Sequence, residues 1–327
     1  MLMTANAAAW WDEENNCFME SRKDYADPTR EIAEETGCKF IDENKIVTDA
    51  WNSMSKNRVL SGYFVCEPLE SKAYPSGTND TTHMKAKGAK RVAKLIADAI
   101  PENVPELSKY LKGDETFTDI QGHWAENVIK TLAESDKISG VGDGKFNPDG
   151  TVTRAEFLKM AMDSLGIVGH AYRDGECLDA TNDDWYCYYL QGALDKDIIP
   201  KEMIENCNVT KVTKTLAEAT DDKKAVTTDV NVYTGKFDGD KPITREEMAA
   251  IAVRCKNYKM RRLTDWDNER RYPIFSFKDS DEIDEKYISD VVEAYNLNYI
   301  DGMEDGRFAP KENLTRAQAA VVMNNLK

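Results

Sequence analysis

The sequence has few basic residues for its size and no cluster of them. Its 327 residues contain 43 lysines and arginines against 59 aspartates and glutamates, a formal net charge of −16. Nucleic acids and anionic lipid surfaces are bound through clustered positive charge. The composition therefore argues against both nucleic acid and membrane as partners.

Two segment types are also missing. No run of eighteen apolar residues occurs, so no segment is long and apolar enough for a membrane-spanning helix. The N-terminus, MLMTANAAAWWDEENN, has neither the basic start nor the apolar core of a secretory signal peptide. We therefore expect the natural gene to extend upstream of Met1, if the protein works outside the cell.

Metal-binding patterns are sparse. The seven cysteines form no CxxC pair and histidines number three, so neither a zinc site nor another metal or cofactor is predicted. An EF-hand around Gly150 fails because Lys145 would occupy the first ligand position. Four cysteines fall in one segment, where they either form two disulfides or stay reduced, namely Cys177, Cys187, Cys207 and Cys255.

What the sequence does contain is an internal repeat. A glycine, a basic residue and a phenylalanine are followed, eight positions after the phenylalanine, by an arginine preceded by threonine. The three copies are Gly144-Lys145-Phe146 to Arg154, Gly235-Lys236-Phe237 to Arg245, and Gly306-Arg307-Phe308 to Arg316. Three copies at one spacing indicate a repeat architecture.

The first copy predicts a helix, a loop and a second helix. Trp124, Val128 and Leu132 are spaced four apart and would share one helix face. The segment 141–150, rich in glycine and containing Pro148, must turn. Thr153 with a glutamate three residues later is a capping box that begins the second helix. One such pair cannot bury both apolar faces, so three units should pack into one helical domain.

The motifs HWA, GDGKFNP and TRAE of the first copy resemble the S-layer homology module of bacterial cell-surface proteins. The third copy matches with FKD, EDGRFAP and LTRAQ, with Tyr287 near the place of Trp124. The second copy has Trp185, an insertion at about 204–234, and ITREE. The predicted repeats are 117–171, 172–260 and 277–327, after a linker at 112–116.

The resemblance implies a pseudo-threefold spindle on the extracellular cell surface. Its grooves would bind an anionic, commonly pyruvylated, secondary polymer linked to peptidoglycan, and so anchor the protein to the wall. Three sets of residues fit polymer binding: arginines for a carboxylate, tryptophans for sugar faces and aspartates for sugar hydroxyls. They are Arg154, Arg245 and Arg316; Trp124 and Trp185; Asp119, Asp174 and Asp279. Alternatively, the arginines pair with nearby acids and the tryptophans belong to the core.

Residues 1–111 have an α/β pattern. Asp80 lies three residues before His83 on the turn into a helix, an arrangement that can orient an imidazole as a general base. The stretch GTNDTTHMKAKGAKRVAKLIADAI resembles the closing block of SGNH (GDSL-type) hydrolases, in the rhamnogalacturonan-acetylesterase-like branch. The resemblance implies a flavodoxin-like fold in which Asp80 and His83 complete a serine triad.

This α/β part looks incomplete, because nothing before Trp10 can hold the family's GDS nucleophile or its oxyanion hole. We therefore expect an inactive C-terminal part of a hydrolase domain, less stable than the repeats and with exposed apolar surface. The alternative function is that of the parent, a carbohydrate esterase that deacetylates a polysaccharide. The fold class expected for the whole chain is mainly α.

Overall fold

The structure is a computed structural model that describes residues 1–67, 70, 74, 77–111, 117–135, 137–170, 176–181, 183–217, 226–260 and 277–326. About 47% of the chain is helical, and the sheets are short, so the mainly α class is confirmed. The chain divides into two compact units, unit 1 at Met1–Gly113 and unit 2 at Asp114–Lys327. Within the described ranges, no helix combines the length and the apolar character needed to cross a membrane.

In its described residues, unit 1 combines short strands with four α-helices. The strands are β1 Leu2–Met3, β2 Trp10–Asp12, β3 Cys17–Met19 and β4 Phe40–Ile41, and the helices are α1 Lys23–Thr36, α2 Glu43–Asn52, α3 Lys56–Val59 and α4 Ala86–Asn103. Strands β1 and β4 pair in parallel, and β2 pairs with β3 in antiparallel fashion. The core centres on Trp51, which is fully buried and contacts the rings of Phe18 and Phe64 edge-on.

Helix α4 packs closely against the helical turn at Leu60–Phe64. Gly88 lies against the backbone of Tyr63, and a Cβ at Gly88 would come within 2.4 Å of the Tyr63 carbonyl oxygen. A larger residue would force the helix away from the core. The surface of unit 1 exposes several large apolar side chains, among them Trp10, Met19 and Ile32.

The described residues of unit 2 form six α-helices in three consecutive pairs, together with strands. The helices are α5 Glu126–Glu134, α6 Arg154–Leu165, α7 Cys187–Asp195, α8 Arg245–Met260, α9 Ile288–Asn296 and α10 Arg316–Asn325. Strands β5 Glu176–Cys177 and β6 Ala180–Thr181 form a small hairpin. One continuous hydrophobic core runs through all three pairs, which is how each pair covers the apolar face that it could not bury alone.

The start of the first helix in each pair corrects two sequence expectations. Ala125, Tyr186 and Tyr287 immediately precede helices α5, α7 and α9, and all three are buried. Tyr287 therefore matches Ala125, and Lys286 takes the place of Trp124 and Trp185. Trp124 is 66% exposed because it lies before α5 begins. Of the stripe predicted through Trp124, Leu132 is buried and Val128 packs on the core, and Ile129 is buried with them.

The three segments that lead into the second helices form a closed ring of backbone hydrogen bonds. The amide of Val152 donates to the Leu314 carbonyl at 3.0 Å, and the Leu314 amide donates to Ile243 at 3.1 Å. The Ile243 amide in turn donates to Val152 at 3.0 Å and closes the ring. Each pair therefore satisfies backbone groups of the others at this junction.

A two-stranded antiparallel ribbon occupies the predicted insertion of the second repeat. It consists of β7 Glu205–Ala217 and β8 Val226–Lys236, with Val212 opposite Val230. The Thr213 hydroxyl donates to Asp229 across the ribbon at 2.7 Å. The ribbon lies between helices α7 and α8 in the chain, so it lengthens the loop of this repeat without interrupting either helix.

Candidate functional site

The three repeated arginines occupy one structural position. Arg154, Arg245 and Arg316 are the first residues of α6, α8 and α10. Thr153 caps α6 in a capping box with Glu156, as the sequence predicted, and Thr315 forms the same box with Gln318. Thr244 and Glu247 exchange the corresponding hydrogen bonds at the start of α8. The local sequence Thr-Arg-x-Glu/Gln therefore places each arginine at a helix start.

Each arginine reaches into the loop of the next repeat, in cyclic order. Arg154 donates to the carbonyl oxygen of Phe237 at 2.6 Å, and Arg245 donates to that of Phe308 at 2.6 Å. Arg316 donates to the Phe146 carbonyl at 2.8 Å, which links the last repeat to the first. Each guanidinium also lies near the ring of the same phenylalanine. All three arginines are more than nine-tenths buried.

The remaining partners of the arginines differ. Arg154 forms a two-point ion pair with Glu247, in which its Nε lies 3.1 Å from Oε2 and its Nη2 contacts Oε1. Arg316 donates to the Ser139 carbonyl at 3.0 Å, and its Nη1 lies 3.8 Å from Glu156 Oε1. Arg245 donates to the Asp301 carbonyl at 2.7 Å. The arginines are thus held by neighbouring loops, and Arg154 also by a buried acid.

Burial shifts the pKa of two arginines. It lowers the pKa of Arg245 and of Arg316 below the ordinary value, although nearby carboxylates partly oppose this effect. A guanidinium stays protonated regardless. The lowered pKa reflects the cost of holding each cation away from water.

A cavity of about 640 Å³ opens beside Arg245 in unit 2. Its walls come from all three repeats, since Trp124, Arg245 and Gln318 all contribute to them. The carboxylates of Asp301, Glu304 and Asp305 also belong to residues that line it. The cavity is of the size at which proteins hold small ligands. It brings together two residues that the sequence predicted for polymer binding, Trp124 and Arg245.

The two predicted tryptophans are both exposed. Trp124 is 66% exposed and lies beside the ring of His123 at 5.3 Å between centroids. The His123 Nδ1 accepts the amide of Ala125, so its Nε2 carries the proton and faces Asp149. Trp185 is 52% exposed and contacts Tyr186 edge-on. Neither tryptophan belongs to the core, so part of each indole ring is exposed to solvent, where a sugar could stack.

The predicted aspartates hold loops. Asp119 accepts the amides of Phe146 and Asn147 at 2.9 and 2.7 Å. Asp279 accepts those of Phe308 and Ala309, both at 2.8 Å. Burial acts to raise the pKa of Asp119, but the two amides prevail and hold it below its ordinary value. Each carboxylate oxygen therefore already has a backbone partner that fixes the loop contacted by an arginine.

Asp174 lies outside the described residues, and Asp179 makes the equivalent contacts in the second repeat. Asp179 accepts the amides of Phe237 and Asp238, both at 2.8 Å. Our sequence reasoning missed Asp179. The spacing to the aromatic residue could have found it, because Asp119 precedes Trp124 by five residues and Asp179 precedes Trp185 by six.

In unit 1, Asp80 and His83 form the predicted pair. His83 Nδ1 lies 2.7 Å from Asp80 Oδ2, and the amides of Thr82 and His83 donate to Asp80 Oδ1. These amide hydrogen bonds and the imidazole contact lower the pKa of Asp80 to about 2. The carboxylate therefore fixes the ring and leaves Nε2 as the possible base. The Ala9 amide donates to Thr81, which ties this turn to β2.

Neither metal ligands nor a described disulfide adds a further site. Over the ranges that the structure describes, no three His, Cys, Asp or Glu side chains are grouped to hold a metal ion. Cys207 and Cys255 are thiols, and Cys255 is fully buried. Two disulfides among the four cysteines of the second repeat are therefore not formed, and the Cys177 side chain lies outside the described part.

Comparison with known protein families identifies two of the repeats. The S-layer homology domain family matches residues 116–158 and 276–320. The chain therefore contains S-layer homology domains in these two regions, as the motifs predicted. These matches, with similarity to cell-surface relatives, indicate a location at the cell surface.

The relatives are enzymes and anchoring proteins by name. An amylopullulanase of Thermoanaerobacterium thermosulfurigenes is 33% identical over 226 residues, 68% of this chain and 10% of that protein. A cellulosome-anchoring protein of Acetivibrio thermocellus is 34% identical over 103 residues, 30% of this chain and 21% of that protein. Rhamnogalacturonan acetylesterase RhgT of Bacillus subtilis is 31% identical over 106 residues, 32% of this chain and 44% of that enzyme. The chain thus spans less than half the length of each.

Proposed function

We propose that this protein is held on the bacterial cell wall by three S-layer homology repeats, arranged with pseudo-threefold symmetry, that bind an anionic secondary polymer linked to peptidoglycan. The observation that carries the proposal is the cavity in which a buried arginine, Arg245, and an exposed tryptophan, Trp124, lie together. The S-layer homology matches and the similarity to a cellulosome-anchoring protein support cell-wall anchoring in general.

The chemistry of the cavity suits a sugar that carries a carboxylate, such as a pyruvyl ketal. A guanidinium binds a carboxylate through two parallel hydrogen bonds, and an indole ring stacks on the apolar face of a pyranose. The surrounding carboxylates of Asp301 and Glu304 can accept hydrogen bonds from sugar hydroxyls. The net charge of −16 does not prevent this, because charges farther away than about 8 Å are largely screened at physiological salt.

The predicted residues take two roles in this proposal. Arg245 and Arg316, with Trp124 and Trp185, are the candidate polymer contacts, whereas Arg154, which the sequence predicted with them, is paired with Glu247. Asp119 and Asp279 support the site without contacting the polymer. Both carboxylate oxygens of each accept backbone amides and so hold the loops that the arginines contact. Asp174 stays a prediction, and Asp179 takes the loop-holding role in the second repeat.

Calorimetric titration of the full chain with purified secondary polymer tests the pyruvyl part of the proposal. Mild acid removes ketal-linked pyruvate and leaves the sugar chain, which provides a matched polymer without the carboxylate. We expect binding to the native polymer and at least tenfold weaker binding to the depyruvylated one, since a charge-assisted contact is worth about 1.5–3 kcal/mol. Equal binding to both would show that pyruvate is not recognised.

A second function, carbohydrate ester hydrolysis, is favoured by the Asp80–His83 contact of 2.7 Å and by the similarity to an acetylesterase. We propose that unit 1 is the C-terminal part of an SGNH-type esterase domain that acts on a polysaccharide. Residues 1–111 contain no GDS motif, so we expect this chain to hydrolyse p-nitrophenyl acetate no faster than a His83→Ala control. A rate that His83→Ala abolishes would show instead that the chain is an active esterase.

A further inference from the structure

The three arginine sites are unequal, and we propose that the Arg245 site, set apart by Gln318, is the one that accepts the carboxylate of an acidic sugar. This proposal rests on the proposed wall anchoring and selects one groove for it. By the Arg245 site we mean Arg245, Gln318 and the cavity that both residues line together with Trp124.

The first step concerns the capping residues Glu156, Glu247 and Gln318, which each carry two terminal polar atoms. One of these atoms caps the residue's own helix. Glu156 Oε2 accepts the Thr153 amide at 2.9 Å, and Glu247 Oε2 accepts the Thr244 amide at 3.3 Å. The other carboxylate oxygen of these two glutamates, Oε1, faces the arginine of the preceding repeat in cyclic order. Glu247 Oε1 contacts Arg154, and Glu156 Oε1 lies 3.8 Å from Arg316.

The second step is the exception at Gln318. Its Oε1 accepts the Thr315 amide at 3.0 Å, which fixes the orientation of the side-chain amide because a backbone N–H can only donate. The other terminal group of Gln318 is therefore the Nε2 amide. It is a hydrogen-bond donor at the place where the other two repeats have a carboxylate oxygen. In cyclic order, this amide group corresponds to Arg245. The side chains of Gln318 and Arg245 therefore both offer hydrogen-bond donors at this site.

The third step is the state of Arg245 itself. Its side chain is 7% exposed. Among the described residues it donates to two backbone carbonyls through Nε and Nη2, and Nη1 has no hydrogen-bond partner. A buried cation without a bonded carboxylate is costly. An anion in the cavity would accept from Arg245 and from the Gln318 amide together.

The aromatic positions follow the same order. Trp124 lies at the cavity of the Arg245 site. The cyclic order assigns Trp185 to the Arg316 site and Lys286 to the Arg154 site. The Arg154 site thus has a bonded glutamate and no tryptophan, which makes it a structural ion pair. The Arg316 site is intermediate, because Glu156 approaches its arginine without a hydrogen bond.

The test exchanges the deciding residue in both directions. Gln318→Glu can keep the cap through one oxygen and gives Arg245 the partner that Arg154 has. Glu156→Gln is the matched control, since it removes the acid that faces Arg316 at the same repeat position. The full-length variants are compared for binding to sacculi that carry a pyruvylated secondary polymer, and thermal unfolding checks that each is folded.

We expect Gln318→Glu to weaken binding at least tenfold and Glu156→Gln to leave it unchanged or stronger. Trp124→Ala, a change at an exposed position that should not affect folding, should also weaken binding, and more than Trp185→Ala does. Wild-type binding that Gln318→Glu leaves intact would overturn the choice of groove but not wall anchoring. A wild-type chain that fails to bind would overturn both.

Competition identifies the acidic group. Methyl 4,6-O-(1-carboxyethylidene)-glucopyranoside carries a ketal carboxylate, its methyl ester lacks the charge, and methyl glucuronide carries a carboxylate on the ring. The proposal expects at least one of the two acids to displace the wild-type protein from sacculi and the ester to fail. Displacement by the ester as well as by the acids would contradict carboxylate recognition at Arg245.

Discussion

Arg154 forms a two-point ion pair with Glu247, a residue 93 positions later in the chain, and both side chains are more than nine-tenths buried. The pair joins the start of α6 to the first turn of α8. It neutralises the arginine that looks, in the sequence, like an equivalent of Arg245 and Arg316. Over the described part of the chain, the same motif therefore produces one structural ion pair and two arginines without a hydrogen-bonded carboxylate.

Breaking this pair should destabilise unit 2. Arg154→Ala would leave the Glu247 carboxylate buried without its partner, a change that costs about 3–5 kcal/mol. Glu247→Gln in the Arg154→Ala background should recover part of the loss, because the buried charge is then removed. Urea unfolding of the two single variants and the double variant measures this coupling. A loss below about 1 kcal/mol for Arg154→Ala would contradict a buried ion pair.

The threonine caps of α6 and α10 should contribute more to stability than an exposed threonine inside another helix of unit 2. Thr153→Ala and Thr315→Ala each remove the side-chain acceptor of a capping box, and we expect a loss of about 1 kcal/mol in each case. Thr131→Ala is the control, since Thr131 is exposed within α5 and bonds only a carbonyl of its own helix. If the three variants unfold at the same urea concentration, the caps contribute nothing specific.

Asp80 should titrate well below an ordinary aspartate. The amides of His83 and Thr82, with the His83 ring, hold its pKa at about 2 against an ordinary 3.8. A depressed pKa contributes stability that is fully present above the ordinary value and is lost as the pH falls through the folded one. The turn at Asp80 should therefore weaken between about pH 4 and pH 2, and carboxyl-carbon NMR of Asp80 measures the midpoint. A midpoint near 3.8 would show that the contacts do not persist in solution.

Unit 1 should open more readily than unit 2. Its core is built around Trp51 and is small, and its surface exposes Trp10 and Met19. Local opening follows the density of buried apolar contacts. Hydrogen–deuterium exchange should thus be faster in the amides of α1, α2 and α4 than in those of α6 and α8. Equal protection in both units would contradict the expectation that unit 1 is the less stable part.

The sequence was a good guide where the physics is local. The box of Thr153 and Glu156 depends on residues three apart, and the structure has it. The prediction that Trp124 lies on the buried face of the first helix was wrong, because helix periodicity does not indicate where a helix begins. Helix α5 begins at Glu126, so the tryptophan lies outside the buried stripe. The partner of Arg154 was beyond reach, since a contact across 93 residues follows from the packing of the three repeats.

The repeated motif also concealed the difference between the arginine sites. Glutamate and glutamine are interchangeable at the third position of a capping box, so Gln318 reads as an ordinary variation in the sequence. The effect of Gln318 on the charge of the groove becomes apparent only in the folded structure, where its side-chain NH₂ group corresponds to an arginine of another repeat. The charge of each groove is thus set by a residue that belongs, by its local role, to a helix start.

The most direct test of wall anchoring is sedimentation of the full chain with purified peptidoglycan sacculi, with and without chemical extraction of their secondary polymer. Our account predicts that the protein sediments with intact sacculi and stays in solution with extracted ones. Binding to neither preparation, or equal binding to both, would contradict anchoring through the secondary polymer.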